Sequence, residues 1–208
     1  MKIYSFFLLS IFVLISCGNP APPKEVSAPK QDLVLPKQNK PLSKKEKMTE
    51  VVVGNIIPDG TILNMDSVAI PINQFRGKLL VIDYWATWCS PCLKETPIFK
   101  SFAEKYKDQP IHFITISMDQ PFSYWKKYIQ KNNWKGQNFW LGQNEANPLS
   151  FFTLVEMELE KQKSIILGLP QYIFIAPDGK ILSHSETRPS APDFEKRLLG
   201  YLDDSLKI

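Results

Sequence analysis

Apolar positions along the chain fall into short runs separated by turn residues, and the runs alternate between strand-like and helix-like spacing. The run Leu79-Leu80-Val81-Ile82, continuing to Trp85, reads as a strand buried on both faces. Before it, residues 51–53 and 68–70 read as strands, with turns at Pro58-Asp59-Gly60 and Arg76-Gly77-Lys78. After it, a helix is expected from Ser90 or Pro91 to about Tyr106, because a proline in the first turn forfeits no intrahelical hydrogen bond. Pro97 is expected to kink that helix.

Residues 111–117 are almost continuously apolar and β-branched, which predicts a central strand. A helix over 123–130 and a short strand over 139–141 follow. Residues 148–163 predict a helix, with Pro148 in its first turn and Leu149, Phe152, Val155 or Glu156, and Leu159 near helical spacing. The runs 171–176 and 181–185 flank Pro177-Asp178-Gly179-Lys180 as a hairpin, and 193–202 closes the chain as a helix. Strands alternating with helices give an α/β class, a mixed central sheet with helices on both faces. There is no internal repeat, no phosphate-cradling glycine loop and no metal motif.

The first residues break this pattern. Met1-Lys2 followed by an apolar stretch over 3–15 has the build of a signal peptide, assigned to residues 1–16, and is too short for a comfortable membrane span. Its end, Leu14-Ile15-Ser16-Cys17, resembles the bacterial lipobox, which implies lipidation at Cys17. Residues 17–50 interleave Pro20, Pro22, Pro23, Pro29, Pro36 and Pro41 with lysines and few apolar residues. That composition predicts a flexible tether, because it buries too little surface to offset the entropy of ordering. A folded domain is therefore expected over 51–208.

Charge sharpens the division. The formal net charge of +4 lies in Lys2 and in residues 18–50, while basic and acidic groups balance over 51–208. A neutral folded part argues against nucleic-acid binding.

Three cysteines are present, and lipidation would consume Cys17, leaving Cys89 and Cys92 to serve each other. A Cys-only zinc site needs four ligands, so this pair does not supply one. A Cys-x-x-Cys that follows a buried strand and opens a helix is a redox arrangement, since unpaired N–H groups and the positive dipole end favour a thiolate.

With Trp85-Ala86-Thr87-Trp88-Cys89-Ser90-Pro91-Cys92, Gly168-Leu169-Pro170 and Asp178-Gly179-Lys180 in hand, residues 51–208 resemble the thioredoxin-like family of membrane-tethered thiol-disulfide oxidoreductases of the TlpA/ResA type. The resemblance implies a thioredoxin fold with an added N-terminal β element and no cofactor beyond the cysteines. It makes Cys89 the exposed nucleophile, Cys92 the buried resolving thiol, Asp83 the buried acid and Glu95 the active-site glutamate. Pro170 becomes a cis-proline facing the disulfide. Trp88, Ser90, Pro91, Leu169 and Pro170 are expected to line the substrate groove. Gln171, where thioredoxins often carry Thr, and the long segment 147–168 depart from the family near that groove.

The implied partners are protein thiols and disulfides and an upstream membrane electron donor, engaged by a lipid-anchored, extracytoplasmic monomer. Asp83, if buried, gains a raised pKa and is positioned by sequence to take the Cys92 proton. The alternative class is a non-catalytic thioredoxin-fold binding or copper-handling module. Copper proteins of this fold usually pair Cys-x-x-x-Cys with a His, whereas His112 and His184 here read as ordinary sheet residues.

Overall fold

A computed structural model describes residues 42–159 and 161–206. The expected signal peptide, Cys17 and most of the expected tether lie outside the described residues. In chain order the elements are α1 (Lys44–Glu50), β1 (Thr61–Leu63), β2 (Ala69–Pro71), a 3-10 turn (Ile72–Phe75), β3 (Leu79–Trp85), α2 (Ser90–Lys105), β4 (Ile111–Ser117), α3 (Phe122–Lys131) and β5 (Gln137–Trp140). A second 3-10 turn (Pro148–Thr153), β6 (Leu154–Leu159), β7 (Gln162–Leu167), β8 (Gln171–Ile175), β9 (Ile181–Ser183) and α4 (Phe194–Ser205) complete it.

Seven strands form one mixed sheet in the order β2-β1-β5-β4-β3-β8-β9. β3 and β4 run parallel, as do β4 and β5, while β8 lies antiparallel on the other side of β3. Every residue of β3 is buried, as expected for a strand at the centre of a sheet covered on both faces. Alternation divides its side chains between two cores. Leu79 and Val81 join Phe99, Phe113, Tyr172, Phe174, Phe194 and Leu198 beneath α2 and α4. Leu80, Ile82 and Tyr84 join Ile72, Phe75, Leu149 and Phe152 on the opposite face. The helices expected on both faces are realised unequally, because short 3-10 turns supply the second cover.

Three local expectations are corrected. Residues 51–53 form no strand: Val51, the C-cap of α1, is fully buried, Val52 and Val53 are exposed, and the Val52 carbonyl accepts from the Asn55 N–H in a turn. Part of the segment expected as flexible tether is the helix α1, started by a capping box in which the Ser43 hydroxyl accepts from the Glu46 N–H and the Glu46 carboxylate accepts from the Ser43 N–H. The helix expected over 148–163 is absent. A 3-10 turn buries Leu149, Phe151 and Phe152, and the chain then turns back as the hairpin β6–β7, a separate two-stranded sheet.

Candidate active site

β3 ends at Trp85 and the chain crosses to α2 through Ala86-Thr87-Trp88. Asp119, fully buried just beyond β4, holds this crossing. Its carboxylate accepts from the Thr87 N–H (3.0 Å) and hydroxyl (2.7 Å) and from the Ser117 hydroxyl (2.7 Å). The Asp119 carbonyl accepts from the Trp140 indole N–H at 2.7 Å. A charged acceptor shared by three donors is a strong local clamp, placed two residues before Cys89.

Cys89 is the N-cap of α2 and is disulfide-bonded to Cys92, with Cα atoms 5.2 Å apart. The Cys89 sulfur accepts from the Cys92 N–H at 3.3 Å, so a helix-terminal donor points at it, a geometry that favours negative charge on a sulfur. Cys89 is 5% exposed and Cys92 fully buried. The expected exposed Cys89 is therefore corrected: packed in one cluster with Trp85, Ala86 and Trp125, both cysteines are buried in the disulfide form.

Around Cys89 the rim is open: Trp88, Ser90 and Pro91 are exposed. The Leu169–Pro170 bond is cis, and Leu169 packs against the cluster formed by Trp85, Ala86, Cys89, Cys92, Trp125 and Ile129. Trp85 stacks near Trp134 at 4.5 Å between ring centroids, which backs the disulfide with aromatic surface. Cys89 and Leu169, 80 positions apart in sequence, thus meet at one end of the sheet.

Asp83 sits on β3 opposite Tyr172 of β8 and is fully buried. Neither carboxylate oxygen has a hydrogen-bond partner among the described residues. Burial, with a smaller contribution from the Glu95 charge, pushes its pKa up to about 8. Glu95, one turn after Cys92 on α2, is also buried, and its carboxylate accepts from the Ser190 N–H (3.0 Å) and hydroxyl (2.7 Å). One acid is thus partnered and the other is not.

Sequence reasoning missed three contributors. They are Ser190, Asp119 and, within its motif, Thr87. An acid directly after the apolar strand β4 was the available signal for Asp119. His184 bonds the Phe152 carbonyl at 3.0 Å and His112 packs on Phe75, both structural positions.

A family model described as thioredoxin-like matches residues 77–181, slightly more than half of the chain. The chain belongs to the thioredoxin-like family. Thiol-disulfide oxidoreductase ResA of Bacillus cereus (strain ATCC 10987 / NRS 248) is 24% identical over 157 residues, 75% of this chain and 80% of the relative. A crystal structure of a protein assigned as a thiol-disulfide oxidoreductase from Bacteroides vulgatus has a TM-score of 0.61 at 22% identity, covering 74% of this chain and 99% of that one. A solution structure from the same organism, assigned likewise, has a TM-score of 0.57 at 27% identity, covering 78% and 92%. Within this thioredoxin-like frame the cysteine pair and Leu169 of the cis-proline loop meet in one cluster, an arrangement suited to two-electron thiol exchange.

Proposed function

We propose that this thiol-disulfide oxidoreductase reduces disulfides of protein partners outside the cytoplasm, through a mixed disulfide at Cys89. The observation that carries the reading is the Cys89 sulfur held against the Cys92 N–H, with Asp83 of the strand that leads into the motif buried and without a hydrogen-bond partner among the described residues. In the reduced enzyme the Cys89 thiolate attacks a partner disulfide, forming one S–S bond and expelling one partner thiolate. Asp83 then takes the Cys92 proton. The Cys92 thiolate attacks the Cys89 sulfur, closing the enzyme disulfide and releasing the second partner thiolate. Two electrons pass to the partner, and an upstream dithiol donor at the membrane returns them.

The raised pKa of Asp83, about 8, lies close to the ~8.5 of an ordinary thiol, so proton transfer between them is nearly balanced in energy. Trp88, Ser90, Pro91, Leu169 and Pro170 form the groove for the partner chain in this account. Glu95 sets the field at Asp83. Direction rests on Asp83 as well, since a buried acid that holds its proton supplies no positive charge to stabilise a cysteine thiolate, which leaves the pair biased towards the disulfide.

Lipidation at Cys17 and anchoring through residues 17–41 are part of the proposal and rest on the lipobox-like Leu14-Ile15-Ser16-Cys17. Mass spectrometry of membrane-extracted protein should find a diacylated Cys17 as the first residue, and an intact Met1 would overturn the anchor. The catalytic proposal is tested by following reduction of insulin disulfides with a dithiol donor against pH. Asp83→Asn should slow the reaction most near neutral pH and least at alkaline pH, where Cys92 ionises unaided. An unchanged rate and pH profile would remove Asp83 from the mechanism.

A further inference from the structure

The hairpin β6–β7 runs directly into Gly168-Leu169-Pro170, so its geometry bears on what the groove accepts. Its register pairs Leu154 with Leu167, Val155 with Ile166 and Met157 with Ser164. The Gly168 N–H donates to the Thr153 carbonyl at 2.8 Å, extending the ladder by one residue. A side chain at Gly168 would collide with Val155, which locks the hairpin base beside the cis-proline loop.

That bond fixes which edge each backbone group of β7 faces. In an antiparallel ladder, bonded and non-bonded pairs alternate. Gly168, Ile166 and Ser164 therefore turn their N–H and C=O towards β6, and Leu167, Ile165 and Lys163 turn theirs away. Leu169 continues the outward set, because the residue before a proline is held extended. No strand covers that outer edge among the described residues. Ile165, Ile166 and Leu167 are only half-buried there, and no proline or bulge blunts the edge, whose one charged residue, Lys163, pairs with Glu156 of β6.

We infer that the outer edge of β7, from Leu169 through Leu167 to Ile165, is a strand-addition site for the extended polypeptide that flanks a partner's target cysteine. The inference rests on the disulfide-reducing role proposed above. Continuity with the active site argues for this occupant: Leu169 packs on the cluster that contains Cys89 and Cys92, and β7 ends two residues before it. A segment paired with Leu169 reaches Ile165 after four residues, about 13 Å at ~3.3 Å per residue. Main-chain pairing tolerates many side chains but needs free N–H groups at alternate positions, so the partner is an extended, proline-poor segment.

Two disulfides separate the edge from the chemistry. Bis(2-hydroxyethyl) disulfide is too small to reach β7, and a peptide of about a dozen residues with a central cysteine in a mixed disulfide spans it. Ile165→Pro deletes an outward N–H and leaves the inward ladder intact. The full-length variant should reduce the peptide with kcat/KM lowered about tenfold, the worth of one to two backbone hydrogen bonds, and the small disulfide at the wild-type rate. With wild-type enzyme, N-methylation of alternate residues on one flank of the peptide should reproduce the loss, and methylation of the intervening residues should not. This second arm holds whether or not the proline variant folds.

Equal peptide rates in both arms, with the small disulfide still turned over, would overturn the inference and leave the reducing role standing. A wild-type enzyme that turns over neither disulfide would overturn both. A dimer that Ile165→Pro dissociates in sedimentation would place a second copy on the edge and overturn the inference.

Discussion

Asp83 and Tyr172 face each other across the β3–β8 ladder, and neither the Asp83 carboxylate nor the Tyr172 hydroxyl has a hydrogen-bond partner among the described residues. A buried charge without partners is costly, so the carboxyl keeps its proton to about pH 8 instead of the ordinary 3.8. Between those values the folded protein binds a proton that the unfolded chain has lost. Stability therefore falls as pH rises through this window, with a limiting slope of about 1.4 kcal/mol per pH unit. Asp83→Asn should abolish the slope, matching wild type in acid and exceeding it at alkaline pH. Denaturant unfolding of the disulfide form at several pH values reads this directly, and parallel curves for the two proteins would contradict it.

The Glu95 charge contributes to that shift. Glu95→Gln should lower the Asp83 midpoint below about 8, seen as a displaced acid limb in the pH profile of disulfide reduction. Ser190→Ala removes one of the two donors that fix the Glu95 carboxylate and should cost about 1–2 kcal/mol in unfolding experiments. A midpoint unmoved by Glu95→Gln would mean that burial alone sets it.

Cys92 is fully buried while Cys89 borders an open rim. Cys92→Ser should accumulate mixed disulfides with partners on non-reducing gels, because nothing remains to resolve them. Cys89→Ser should trap few. Equal trapping by both variants would reverse or erase the assigned roles.

Asp119 joins Thr87 to the end of β4, and its loss strands three donors. Asp119→Ala should destabilise the protein by about 3 kcal/mol. It should also slow mixed-disulfide formation, because the loop before Cys89 loses its anchor. Unfolding and stopped-flow thiol reactivity check the two effects separately.

Central elements were legible because their patterns are local. The all-buried run of β3, the apolar β4 and the Cys-x-x-Cys at a helix start each fit within a few residues of sequence. The hairpin β6–β7 was not, for a physical reason. Residues 156–161 are strong helix formers with two apolar positions, and Lys161 takes a left-handed φ of 65° in a turn that carries no glycine. Tertiary packing of Val155 over Gly168 overrode that preference. The helix α1 had a visible S-x-x-E signal at Ser43 and Glu46, masked by the linker-like composition around it.

The site shows the same division. Cys89, Cys92 and Asp83 stand out by spacing and by placement in an apolar strand. Ser190 meets Glu95 across 95 residues and Asp119 meets Thr87 across 32, separations that leave no trace in a single sequence.

The reducing role is tested most directly by the redox midpoint of the Cys89–Cys92 pair, measured by equilibrating the full chain against dithiol buffers at neutral pH. With a buried, proton-holding acid on the strand that leads into the Cys-x-x-Cys, the midpoint should fall near that of thioredoxin, about −270 mV. A midpoint near that of DsbA, about −120 mV, would contradict the account and make the protein an oxidant.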